Sequence, residues 1–287
     1  MKSAARWKLA ASMVIFGTLA PFVRRIPVGS GELALYRAIL AAVLIGVYLL
    51  LSRQKLSLKE MRQEIPLLFL SGAAMGINWI LLFQAYRFTT VSIATLSYYF
   101  APVIVTVASS LLFREKMTRR QLLCFVMSTL GLFLIIGVGT HQEGTSHITG
   151  ILLGLGAAVF YAAVILLNKY IKNVSGIHRT LLQFWAAIAV LIPYVALTGG
   201  CLLENLDAVG WCCLLLVGLF HTGVTYCLYF SSLKDLTGQQ AAILSYLDPL
   251  TAVLVSVAVL GEAITLPQIA GGILILGFAL WNELQSS

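Results

Sequence analysis

The sequence predicts an all-α integral membrane protein of ten transmembrane helices, arranged as two inverted five-helix repeats. Three observations carry this. Of the 287 residues, 60% are hydrophobic and 10% charged, against about 25% charged in a soluble domain. Apolar runs of about 20 residues, long enough to cross a bilayer as helices, recur from end to end. The chain also echoes itself: ATLSYYFAPVIVTVASSLLFREKMTRRQ (Ala94–Gln121) matches AAILSYLDPLTAVLVSVAVLGEAITLPQ (Ala241–Gln268). Tyr99/Tyr246, Pro102/Pro249, Ser109/Ser256, Glu115/Glu262, Thr118/Thr265 and Gln121/Gln268 all share an offset of 147 residues. The short alternating segments that a membrane β-barrel needs are absent from the sequence.

Helices are expected over about 7–25, 31–52, 65–86, 91–113, 119–138, 149–170, 179–198, 209–231, 238–260 and 266–284. The first follows a basic start, MKSAAR, as a secretory signal would. It reads as an uncleaved span because the rest of the chain is membrane-embedded too. The second opens near Glu32 and carries Arg37, and the third holds Asn78 and Trp79 centrally. The fourth and ninth are the echo helices, each with a proline inside. The polar connection HQEGTSHIT after the fifth divides the chain into a first repeat (1–140), a connecting loop (141–148) and a second repeat (149–287). Trp7 and Trp281, at span ends, read as interfacial anchors. The glycines of the sixth and tenth spans suit close packing within one chain, so a monomer is expected.

Charge placement supplies direction. With loops assigned to alternate sides, fifteen Lys and Arg fall on one side and four, Arg24, Arg25, Arg37 and Arg87, on the other. The positive-inside rule puts both termini in the cytoplasm, with the chain in the cytoplasmic membrane. Five spans per repeat is odd, so the halves insert in opposite senses. The net charge of +8 therefore reports orientation rather than a nucleic-acid partner. No G-x-x-x-x-G-K-[ST] motif appears, which argues against ATP-driven transport. Eleven acids and four histidines are scattered, which argues against an enzyme acting on membrane lipids. The five cysteines form no C-x-x-C pair, and neither a metal site nor a cofactor is expected.

The run LSYLDPLTAVLVSVAVLGEAITLPQIAGGILILGFAL carries Asp248-Pro249, Gly261-Glu262 and a glycine-rich last helix. The first half carries a weaker copy in Pro102, Arg114-Glu115 and Gln121, and the second helix reads ELALYRAILAA around Arg37. Over nearly its whole length the chain resembles the EamA family of the drug/metabolite transporter superfamily. The resemblance implies a ten-helix transporter of metabolites or amino acids, often an exporter. It also implies a central cavity formed by helices one, three, four, six, eight and nine. Four-helix multidrug exporters of that superfamily carry a key glutamate in their first helix. No acid precedes Glu32 here, so that coupling scheme does not carry over.

Ionisable groups inside a membrane are costly and mark candidate sites. Asp248 precedes Pro249, which cannot donate a backbone hydrogen bond and frees a carbonyl one turn earlier. Carboxylate and carbonyl together suit a cation or proton; the alternative is an acceptor that holds a broken helix together. The first-half counterpart of Asp248 is Ala101. Arg37, with Glu32 nearby, is a candidate for coupling or gating or for a structural ion pair, readings favoured over one in which it meets an anionic group. His221 is either a proton gate or a histidine satisfied by a neighbouring helix. The candidate substrate-binding set is Phe16, Asn78, Trp79, Tyr98, Tyr99, Tyr161, His221, Tyr226 and Tyr246, with Trp185 at similar depth. Pro102 and Pro249 are the expected hinges. Gln84 and Gln183 are expected to bridge helices, and Glu115 and Glu262 to cap or pair locally.

The function expected is secondary active transport of a small-molecule substrate by alternating access, with export of an amino acid or related amphipathic compound. The alternative is proton-coupled uptake of an organic cation such as a quaternary amine. The partners expected are the substrate, the lipid bilayer and a proton or other coupling ion.

Overall fold

The computed structural model describes residues 2–53, 62–101, 103–105, 107–108, 118–137, 145–171, 174, 176–198, 203, 206–233, 244–245 and 247–284. Among them every regular element is a helix. The expected first span is broken into α1 (Lys2–Gly17) and α2 (Leu19–Arg24). Pro21 has no N–H to offer the Gly17 carbonyl, so the turn at Thr18 leaves helical bonding. α3 (Ser30–Leu51) starts where Glu32 accepts the Gly29 N–H at 2.8 Å. α4 (Ile65–Phe88) has a proline in its first turn, where no N–H is needed. α5 (Val91–Tyr98) starts at Thr90, whose hydroxyl accepts the Ile93 N–H, and gives way to a turn at Tyr99–Phe100.

α6 (Arg119–Gly137) and α12 (Leu266–Leu284) begin alike. Gln121 accepts the Thr118 N–H at 2.8 Å, and Gln268 accepts the Thr265 N–H at 2.9 Å. The threonine hydroxyls accept the glutamine N–H groups in return. Two of the echoed residue pairs are therefore two copies of one capping box. Between them lie α7 (Thr145–Tyr170), α8 (Gly176–Thr198) and α9 (Ala208–Leu215). A wider π-helical stretch, Leu216–Val224, then α10 (Thr225–Leu233) and α11 (Leu247–Leu260) come next along the chain. α7 starts four residues before the predicted 149, inside the expected loop.

The chain is membrane-embedded. Five described segments are long and apolar enough to cross a bilayer: Ser30–Leu51, Ile65–Phe88, His147–Asn168, Gly176–Thr198 and Ala208–Tyr229. Leu247–Leu260 and Leu266–Phe278 are shorter apolar helices. Large apolar side chains such as Leu51, Leu197 and Leu254 face outward, as lipid contact permits. Inside, α4 packs along α7 and α8, α3 against α8 and the π-helical stretch, and α1 against α10 and α11. α5 lies between α7 and α11, and α6 pairs with α12. Elements from the two parts of the chain thus interleave, and residues from both meet in the interior.

Candidate functional site

α1 and α11 come together at Gly17, where a Cβ would fall 2.6 Å from the Asp248 carbonyl oxygen. Only a residue without a side chain admits that approach. It sets Asp248, in the first turn of α11, opposite the end of α5. There the Tyr99 hydroxyl donates to Asp248 Oδ2 at 2.6 Å, a short hydrogen bond. Tyr98 meets Tyr99 edge-on with centroids 5.5 Å apart, and Tyr161 lies 5.2 Å from Tyr98. Tyr98, Tyr99, Tyr226 and Asp248 are half-buried and Tyr161 is 37% exposed, so these side chains border open space between α5, α7, α10 and α11.

A second charge stands across these rings. Arg37 is 3% exposed, with its guanidinium 4.6 Å from the Trp79 ring and 5.1 Å from that of Phe83. Cation–π contact offsets part of the cost of burial. Its Nε donates to Thr222 Oγ1 at 3.0 Å. Thr222 in turn donates to the Val217 carbonyl five residues back, the spacing of the π-helical stretch. Such stretches are frequent at functional sites. Phe184 links Trp79 to Tyr226 at 5.6 and 5.4 Å, and Phe16 meets Tyr226 edge-on at 5.1 Å. Tyr86 and Tyr226 lie within electrostatic reach of both Arg37 and Asp248.

Phe16, Trp79, Tyr98, Tyr99, Tyr161, Tyr226, Arg37 and Asp248 are thus brought together. Asn78 is buried and donates to the Ala157 carbonyl at 2.7 Å, tying α4 to α7. His221 is 2% exposed and lies between Thr18 Oγ1 at 3.1 Å and the Leu216 carbonyl at 3.4 Å, beside the Phe22 ring. It seats the break between α1 and α2. Glu32 sits at the start of α3, and Pro249 is the third residue of α11. Pro102 and Tyr246 lie outside the described residues.

Gln84 accepts from Ser30 at 2.7 Å, and Gln183 donates to Ser71 at 2.7 Å and Asn168 at 3.0 Å. Both bridge helices. Trp185 is 59% exposed, and its neighbour Phe184 is fully buried in the ring cluster. Sequence reasoning missed Phe184, Tyr86 and Thr222. Gly218 and Gly223, five residues apart against Leu40 and Leu44, are the one trace of the wider turn. Among the described residues, no three His, Cys, Asp or Glu gather as a metal site.

The model of the EamA-like transporter family matches this chain twice, over residues 7–137 and 148–282. YxxF, an uncharacterized transporter of Bacillus subtilis (strain 168), is 32% identical over 281 residues, covering 97% of this chain and 89% of that protein. A protein of Salmonella typhimurium named as a probable amino-acid metabolite efflux pump is 24% identical over 233 residues, covering 75% of this chain and 76% of its own. A solved crystal structure shares the fold, with a TM-score of 0.66 at 15% identity, covering 96% of this chain and 95% of that one.

Proposed function

Since the chain belongs to the EamA-like transporter family, we propose that it exports a small amphipathic metabolite bearing both an anionic and a cationic group. An amino acid or a related compound fits this description. The observation that carries the reading is an acid, Asp248, and a buried cation, Arg37, on either side of one cluster of aromatic rings. A ligand's ammonium meets Asp248 and its carboxylate is drawn toward Arg37. Its apolar part lies against Phe16, Tyr98, Tyr161 and Tyr226. Trp79 holds the guanidinium, while Asn78 and His221 fix the helices that carry these groups.

Movement occurs by alternating access of two inverted five-helix repeats, residues 1–140 and 149–287, with ten spans in all. The matching capping boxes at Thr118 and Thr265 support the repeat. A proton or ammonium arriving at Asp248 competes with the Tyr99 hydroxyl. Occupancy is thereby linked to the contact between α5 and α11, with Pro102 and Pro249 as the hinges, Tyr246 two residues before Asp248 in the sequence and Glu32 setting the start of α3. The chain acts as a monomer in the cytoplasmic membrane with both termini in the cytoplasm. Export is supported by the name of the Salmonella relative.

The second reading, proton-coupled uptake of an organic cation, is favoured by the rings of Tyr98, Tyr99 and Tyr161 beside Asp248. Proteoliposomes separate the two. Phenylalanine, phenethylamine, 3-phenylpropionate and tetramethylammonium are compared as substrates, with and without a pH gradient. Preference for phenylalanine over both one-charge analogues supports the first reading. Tetramethylammonium uptake driven by the gradient, with no phenylalanine flux, replaces it with the second.

A further inference from the structure

We propose that Arg24 and Glu262 form a latch that shuts one end of the internal space, and that its opening is a step of the cycle. The inference rests on the transport reading above. It starts from the end of α11. Gly261 adopts φ +65°, the left-handed position that terminates a helix, and the Glu262 N–H returns to the Ser256 carbonyl at 3.1 Å. This turn explains why glycine precedes the glutamate. The sequence suggests that Glu262 caps or pairs locally. Its side chain reaches instead to an element 171 residues away in sequence, where it accepts the Val91 N–H at 2.8 and 3.1 Å. It also accepts the Ser256 hydroxyl, which in turn accepts from Ser92 at 2.8 Å.

Arg24 Nη2 completes the site at 2.6 Å from Glu262 Oε1. The same nitrogen lies 3.3 Å from the carbonyls of Tyr86 and Thr89. The cation therefore sits at the C-terminal end of α4 and the carboxylate at the N-terminal end of α5, each complementing its helix end. Thr89 also meets His147 Nδ1 at 2.8 Å, which brings the start of α7 to the same place. Val91 precedes Tyr99 by eight residues, so the latch lies about 12 Å along α5 from the Tyr99–Asp248 bond.

Two features suit a latch better than a permanent tie. The pair spans the boundary at which the halves must separate, since Arg24 and Val91 belong to the first and Glu262 to the second. The Glu262 side chain is 8% exposed but that of Arg24 is 34%. A pair that water already reaches separates at modest cost, whereas a fully buried pair would leave two stranded charges.

The test uses the full chain in proteoliposomes, with its five native cysteines replaced by serine and Tyr161→Cys added as a reporter in the internal space. A membrane-impermeant maleimide is applied from each face in turn. Labelling should be slower from the latch face. Glu262→Gln and Arg24→Gln should each raise the rate from that face about fivefold or more and lower it from the other. The double variant should go no further than either single one, and Arg24→Lys should stay close to the parent. Unchanged rates, equal increases from both faces, or fully additive effects would overturn the latch. If one variant does not fold, the other decides the question in the same way. Phenylalanine flux is measured separately: its absence in the wild-type protein counts against the transport reading, while the labelling rates judge the latch alone.

Discussion

Tyr99 and Asp248 are 149 residues apart in the chain, and a 2.6 Å hydrogen bond joins them. Tyr99 stands where α5 gives way to a turn, and Asp248 lies one residue before Pro249 in the sequence. The carboxylate, whose matching position in the earlier echoed segment is Ala101, is held by a tyrosine of that same segment.

Removing either partner should have separable effects. Tyr99→Phe removes a donor to a charged acceptor and should cost about 2 kcal/mol of stability in a detergent thermal-unfolding series. Asp248→Asn keeps an acceptor for Tyr99 and should cost less. It should abolish selectivity for phenylalanine over 3-phenylpropionate and flatten the pH dependence of flux. Retention of both properties would remove Asp248 from the site.

Arg37 is held by ring faces and one threonine. Arg37→Lys keeps the charge but loses the planar surface that stacks on Trp79 and Phe83. Stability should fall by about 1 kcal/mol, with the preference for phenylalanine over phenethylamine retained in part. Arg37→Gln should lose that preference. Isothermal titration with the two compounds measures the difference.

Gly17→Ala should force α1 away from α11, because the new Cβ would overlap the backbone at Asp248. A loss of about 1–3 kcal/mol is expected, with flux falling further than stability alone explains. Gly46→Ala is the control. Nothing lies within 4 Å of a Cβ at that position, so unfolding temperature and flux should both stay near wild type.

Thr118→Ala and Thr265→Ala remove the same hydroxyl from two copies of one capping box. Each should cost about 1 kcal/mol, and neither should alter the order of preference among the phenyl compounds. Unequal losses would mean that the two helix starts are loaded differently despite the shared motif.

The helix starts at 119 and 266 were legible because long apolar runs leave few alternatives. Helix faces were harder. A span apolar on all sides carries no phase, so nothing in the sequence chose Phe184 over Trp185 for the interior. Asp248 stood out because a carboxylate beside a mid-span proline is costly without a purpose. Its partner could not be read, since pairing across 149 residues depends on how the halves dock. Glu262 was legible as a helix-end residue, but the direction of its side chain depends on the Gly261 turn and on the position of α5.

The π-helical stretch Leu216–Val224 holds slack. A π-turn accommodates one more residue than the α-turn it replaces. Shedding that residue, by deletion or by the wide turn migrating along the helix, would rotate the rest of the helix by about 100°. Thr222 would swing off the Arg37 guanidinium, and Tyr226 would leave its place among the rings. One helix thus couples the register of its backbone hydrogen bonds to a quarter-turn or so of rotation at Thr222 and Tyr226.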